Sequence, residues 1–117
     1  MRFYCTDDTV DLEQYPYHVR DVHISDPFIL ADPKSRCYYT YVQFADTERF
    51  PDVETDKEHG VFYVLESKDL IHWSKPQICF RQNNFWADKD YWAPEVHIWK
   101  GRYYLFSSFR ADGHYRK

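Results

Sequence analysis

The chain has 117 residues and carries 15 Lys plus Arg against 19 Asp plus Glu, a formal charge of −4. Its length holds one domain at most, and its 44% apolar content, with 4 Trp, 11 Tyr and 9 Phe, excludes a disordered polypeptide. No stretch gathers the basic residues that phosphate neutralisation needs, which excludes nucleic acid as a partner.

Residues 1–22 are polar and Tyr-rich without a clear period, and read as an N-terminal arm. From His23 the pattern turns extended. Ile24, Phe28, Ile29 and Leu30 surround Pro27, whose missing N–H suits the first position of a strand, so strand one is predicted over 27–31. Asp32-Pro33-Lys34-Ser35 is turn chemistry, with Asp starting the turn and Pro fixing φ at the next position. Strand two follows over 37–44, rich in the aromatic and β-branched side chains that fit a pleated surface.

Residues 45–59 are charged, lack a helical apolar stripe and read as a long solvated loop. Gly60 opens strand three, 61–67. The segment 67–74 is too short for an ordinary helix and carries Trp73 to pin a turn, and strand four is short, 77–81. A second Pro-led strand is predicted over 91–99, a tight turn at Lys100-Gly101 and another aromatic strand over 102–109. The chain then ends in turn-like residues, 111–117.

The two halves repeat. Pro27 and Pro94 stand 67 residues apart, Tyr38-Tyr39 and Tyr103-Tyr104 65 apart, and both copies run Pro, apolar strand, turn, Tyr-Tyr strand. A four-stranded unit recurring without helices is the pattern of β-propeller blades, and the loop at 45–59 accounts for a period longer than the usual 40 to 50 or so residues. A propeller closes with roughly 4 to 8 blades. The expectation is therefore an all-β, partial propeller: a first blade over 23–81 and an incomplete second over 91–117, as if truncated.

No apolar run approaches the roughly 20 residues that span a bilayer, and residues 1–8 turn acidic where a signal peptide would be apolar. A soluble, cytoplasmic chain without membrane partners is expected. Cys5, Cys37 and Cys79 are odd in number and widely spaced, so they read as reduced thiols, two of them inside strands. The six histidines include no HExxH and no zinc spacing, Ser107-Ser108 lacks a nucleophile elbow, and the three glycines are too scattered to cradle a phosphate. No metal and no cofactor is assigned.

Two segments can carry chemistry. Ile24-Ser25-Asp26-Pro27-Phe28-Ile29 sets a carboxylate at the mouth of a strand, where the following proline is expected to hold Asp26 extended. In a propeller the innermost strands begin at the central channel, so Asp26 could act there as a general base on water. The plainer reading is that it caps the strand. Asp90-Tyr91-Trp92-Ala93-Pro94-Glu95 occupies the same place in the second copy. Aromatic faces beside carboxylates suit sugars, stacking on C–H groups while acids bond hydroxyls; a Trp at a strand mouth also serves as a packing wedge between blades.

Taken in order, Ser25-Asp26-Pro27-Phe28-Ile29-Leu30, the run Val61 to Trp73, Tyr91-Trp92-Ala93-Pro94-Glu95-Val96 and Gly101-Arg102-Tyr103-Tyr104-Leu105-Phe106 resemble the N-terminal part of glycoside hydrolase family 43 over about residues 23–113. The resemblance implies a five-bladed β-propeller and an inverting hydrolysis of arabinan, arabinofuranosides or β-xylosides, with an Asp base, a second Asp that tunes and orients, and a Glu acid. Asp26 matches the position of the base. Trp92 and Glu95 match a Trp-Ala-Pro-acidic motif beside the sugar cavity, and Tyr91 adjoins them. The counterparts of the tuning Asp, the acid and most ligands of the family's channel cation would lie beyond Lys117. This implies a carbohydrate substrate for the parent protein and no turnover by these residues alone. The alternative is a non-catalytic carbohydrate-binding propeller fragment. An invertase-like furanosidase is disfavoured, because such enzymes carry Asn-Asp-Pro-Asn-Gly where this chain has Ser-Asp-Pro-Phe-Ile. The unpaired edge of the second blade predicts self-association.

Overall fold

The turn chemistry at Asp32 builds the first hairpin of the computed structural model, which describes residues 10–43, 51–55, 60–83 and 85–113. Strand β1 is Tyr17–His18, followed by a 3-10 turn at Val19–Asp21, β2 (Phe28–Asp32), β3 (Cys37–Val42), β4 (Val61–Ser67), β5 (His72–Trp73), β6 (Gln77–Arg81), β7 (Lys89–Trp99) and β8 (Arg102–Arg110). Strands β2, β3, β4 and β6 pair antiparallel in that order, which is the four-stranded meander of a propeller blade. The β7–β8 ribbon forms the first two strands of another.

Asp32 closes the β2–β3 turn by three bonds. Its Oδ1 accepts the Lys34 N–H at 2.9 Å, its Oδ2 accepts the Ser35 hydroxyl at 3.0 Å, and its carbonyl accepts the Arg36 N–H at 2.8 Å. The β7–β8 turn is tighter. Lys100 and Gly101 lie at φ 49° and 74°, the two positive values a two-residue hairpin loop of the primed kind requires.

One departure from the sequence reading lies in the N-terminal arm, where Tyr17 and His18 join the sheet by pairing with Trp73 and His72. A two-residue strand shows no periodicity, and its partner is as short. The partner is set by a side-chain-built turn: the Ser67 hydroxyl accepts the Leu70 N–H at 2.9 Å, and Asp69 Oδ1 accepts the N–H groups of Ile71 and His72 at 2.9 and 2.8 Å. Trp73 pins it as expected, its indole N–H donating to the Leu70 carbonyl at 3.3 Å.

Two apolar layers sandwich the blade. On one face Tyr38, Val42, Val61, Tyr63, Leu65 and Trp73 form a buried cluster, covered by Val22, Ile24 and Val53. The other faces the ribbon, where Phe62 meets Tyr91 and Phe109 at ring separations of 5.6 and 6.1 Å. At the far end the Tyr103 hydroxyl donates to Asp32 Oδ2 at 2.5 Å. Burial would push the Asp32 carboxyl up, but this bond, the Lys34 N–H and the Ser35 hydroxyl together hold it below the usual carboxylate range.

Of the loop read at 45–59, residues 51–55 are described, and they are tied down. Val53 packs on the core, Asp52 meets Lys75 at 3.4 Å and Glu54 pairs with Arg81. Residues 45–50 and 56–59, like Phe44, Cys5 and 114–117, lie outside the described residues.

Candidate active site

Asp26 is exposed and lies just before β2. The expectation of an extended backbone there is overturned, because its φ is +48°. Proline steers its predecessor away from the right-handed helical region; it leaves the left-handed one open, and Asp tolerates that region better than most side chains. Ala93, before Pro94, stands at φ +50°. The same left-handed residue before proline in both copies extends the sequence repeat to the backbone. Ala lacks the polar side chain that eases this conformation for Asp, so Ala93 stores strain of order 1–2 kcal/mol.

Pro94 lies inside β7, within the span 91–99 predicted for this strand, where a proline normally removes a ladder bond. The ladder register shifts between Lys89 and Trp92 and again between Trp92 and Glu95, so the proline sits at an irregularity where no partner is missed. The Ser107 hydroxyl secures the bulge by donating to the Trp92 carbonyl at 2.5 Å.

Gln43 ties the second motif to the end of the hairpin that carries the first. The β2–β3 ladder ends at the Phe28–Tyr41 pair, two residues from Asp26 on one strand and two from Gln43 on the other. The Gln43 side-chain oxygen in turn accepts the Ala93 N–H at 3.0 Å. One side chain thus links the Asp26 end of the first blade to the Trp92-Ala93-Pro94-Glu95 end of the ribbon. The Phe28 and His97 rings meet in a tilted contact with centres 5.2 Å apart, and His97 Nε2 lies 3.6 Å from Glu95 Oε2. Trp92 and Glu95 are exposed here.

Tyr91 is placed differently. It is buried against Phe62, Phe80 and Phe109, and its hydroxyl donates to the Ala87 carbonyl. Its contribution is to hold β7 against the blade; a bound sugar has no open route to its ring face. Gly60 makes this packing possible, since a Cβ at that position would overlap the Tyr91 ring. Around the same end, Asp90 Oδ2 meets Arg110 Nε at 3.0 Å and Lys89 Nζ meets Asp112 Oδ2 at 2.6 Å, fastening the start of β7 to the end of β8.

Gln43 and His97 are the site residues that sequence reasoning missed. Gln43 was readable in part: counting through the Asp32 turn places it at the same end of the hairpin as Asp26, while its bond to Ala93 comes from another sheet. His97 carries no signal, because its neighbours Phe28 and Glu95 come from different strands or from the same strand two residues away. Among the described residues, no three His, Cys, Asp or Glu side chains cluster as a metal site requires.

A family model for glycosyl hydrolases family 43 matches residues 18–116. Among solved structures, an endo-arabinase from Bacteroides thetaiotaomicron is similar, at 32% identity and a TM-score of 0.69. The match covers 87% of this chain and 31% of that one, so the chain spans about a third of the arabinase's length. No curated protein matches the chain.

Proposed function

The chain belongs to glycoside hydrolase family 43, and on that premise we propose that it supplies the base-bearing segment of an inverting hydrolase of arabinose-containing polysaccharides. Asp26 is the general base, taking a proton from water as that water attacks the anomeric carbon. Trp92 offers an apolar face to the sugar ring and Glu95 accepts hydroxyl hydrogen bonds. Tyr91 acts as a positioning residue, through its packing against Phe62, Phe80 and Phe109, which seats β7 on the blade. The observation that supports this assignment is the Gln43 link, which draws the Asp-Pro and Trp-Ala-Pro-Glu segments to one end of adjacent strands.

Inversion also needs an acid across the sugar, about 6.5–9.5 Å from the base, to protonate the leaving oxygen. The family resemblance supplies no counterpart for it among these 117 residues. The chain alone is therefore expected to give no turnover of 4-nitrophenyl arabinofuranoside. In the longest natural polypeptide containing this sequence, Asp26→Asn lowers kcat by about 10²–10⁴ with KM little changed. Trp92→Ala raises KM more than it lowers kcat. Undiminished hydrolysis by the Asp26→Asn protein, or clear turnover by residues 1–117 alone, overturns the reading.

A further inference from the structure

Along a regular strand, residues three apart point to opposite faces. Trp92 and Glu95 are three apart, yet their cross-strand partners, Ser108 and Phe106, are two apart on β8. Cross-strand partners share a face, and so do residues two apart, which puts Trp92 and Glu95 on one face of the ribbon. A bulge makes this possible: Ala93 and Pro94 together oppose Ser107 alone. Without the extra residue the two side chains would part to opposite faces.

The backbone of the bulge is held from both sides. Pro94 bars Ala93 from the right-handed helical region, leaving an extended well and a left-handed one. At φ +50° Ala93 occupies the left-handed well, the costlier of the two for alanine. One peptide unit sets that choice, and both of its polar groups are bonded. The Trp92 carbonyl accepts the Ser107 hydroxyl at 2.5 Å, and the Ala93 N–H donates to the Gln43 side-chain oxygen at 3.0 Å. Ser107 shares the blade-facing side of β8 with Tyr103 and Phe109, and Gln43 comes from the blade itself. Turning the peptide plane over, so that Ala93 reaches the extended well, would break both bonds at once.

We propose that Gln43 and Ser107 are positioning residues for the sugar site: they clamp the Trp92–Ala93 peptide, keep Ala93 left-handed, and so hold Trp92 and Glu95 on a common face. The inference rests on the assignment of those two side chains to the sugar. Each clamp residue acts through the backbone of β7, while Asp26 precedes β2 and is held by neither bond.

The test measures the dissociation constant of an arabino-oligosaccharide by calorimetry, in the longest natural polypeptide containing this sequence and in an Asp26→Asn background that leaves the sugar uncleaved. Gln43→Met keeps the side-chain length and removes the acceptor; it is expected to weaken binding by about fivefold, roughly the worth of one hydrogen bond. Gln43→Glu keeps an acceptor oxygen and should restore binding to within about twofold of its parent. Ser107→Ala releases the same peptide from its other side and should weaken binding by a similar factor, which keeps the test open if Gln43→Met does not fold. A cycle with Trp92→Ala decides between positioning and a general loss of structure. Once the indole is gone, Gln43→Met should change the constant by less than about twofold, whereas independent effects would add in full. Unmoved binding in both Gln43→Met and Ser107→Ala, no recovery in Gln43→Glu, or full additivity in the cycle overturns the inference and leaves the hydrolase assignment standing. A parent that binds no arabino-oligosaccharide overturns both.

Discussion

Replacing Gly60 by Ala tests how the ribbon is seated on the blade. A Cβ at Gly60 falls inside the envelope of the Tyr91 ring, against Cε2, Cδ2 and Cζ. Ordinary carbon contact of about 3.5–4.0 Å then requires the ring to withdraw by roughly 1 Å or more. It has nowhere to go. Phe109 stands 5.1 Å away centroid to centroid, Phe62 5.6 Å and Phe80 6.1 Å, and the Tyr91 hydroxyl is held by the Ala87 carbonyl. The strand must shift or the ring must leave, at a cost of about 2–4 kcal/mol, between ordinary overpacking and loss of a buried aromatic. For a chain of this size that lowers Tm by roughly 10 °C. Thermal unfolding followed by circular dichroism measures it, in a cycle with Tyr91→Leu. Once the ring is gone, Gly60→Ala should cost less than about 0.5 kcal/mol, so the coupling is nearly the whole effect. A single Gly60→Ala variant within about 0.5 kcal/mol of wild type would refute the reasoning.

Acid stability and the Asp32 contact give two more tests. Burial would raise the Asp69 carboxyl, but the His72 ring, at 2.7 Å, and the N–H groups of His72 and Ile71 hold it below the usual range. A depressed carboxyl stabilises the fold above its unfolded pKa of about 3.9, and that contribution is lost as pH falls from there through the lower folded value. Asp69→Asn should therefore be less stable at pH 7 and show a shallower loss of stability below about pH 4 in urea titrations, the β1–β5 pairing being the first to exchange its amides. Tyr103→Phe removes a donor from Asp32 and should move the Asp32 carboxyl back up toward its ordinary 3.8, read by NMR titration. An unchanged midpoint would mean that the hydroxyl bond contributes nothing to holding ribbon and blade together.

Much of the fold is legible in one dimension because strands announce themselves by local chemistry. Val61–Ser67 and Gln77–Arg81 fall where the aromatic and β-branched runs stand, and Asp32-Pro33 and Lys100-Gly101 form turns through their own backbone preferences. The repeat likewise rests on residue identity, and it correctly anticipates four strands followed by two. Proline guides only one end of that repeat: a missing N–H rightly places Pro27 at the entry of a strand, but the same logic could not see that a bulge would admit Pro94 inside one. Nor could it see the φ of Asp26. Local preference excludes one region for the residue before proline and leaves two, and only the surrounding packing selects between them.

The sequence by itself determined the six longer strands, their order, the turns that join them and the motifs that carry the family resemblance, since each depends on side chains within a few residues of one another. Tertiary structure alone decided that Gln43 accepts the Ala93 N–H, that Tyr103 reaches Asp32, that Tyr91 turns inward over Gly60 while Trp92 turns outward, and that His18 finds His72. Those pairings join residues separated by up to 71 positions. They are fixed by how two twisted sheets stack, and a stacking angle leaves no trace in the order of the residues that produce it.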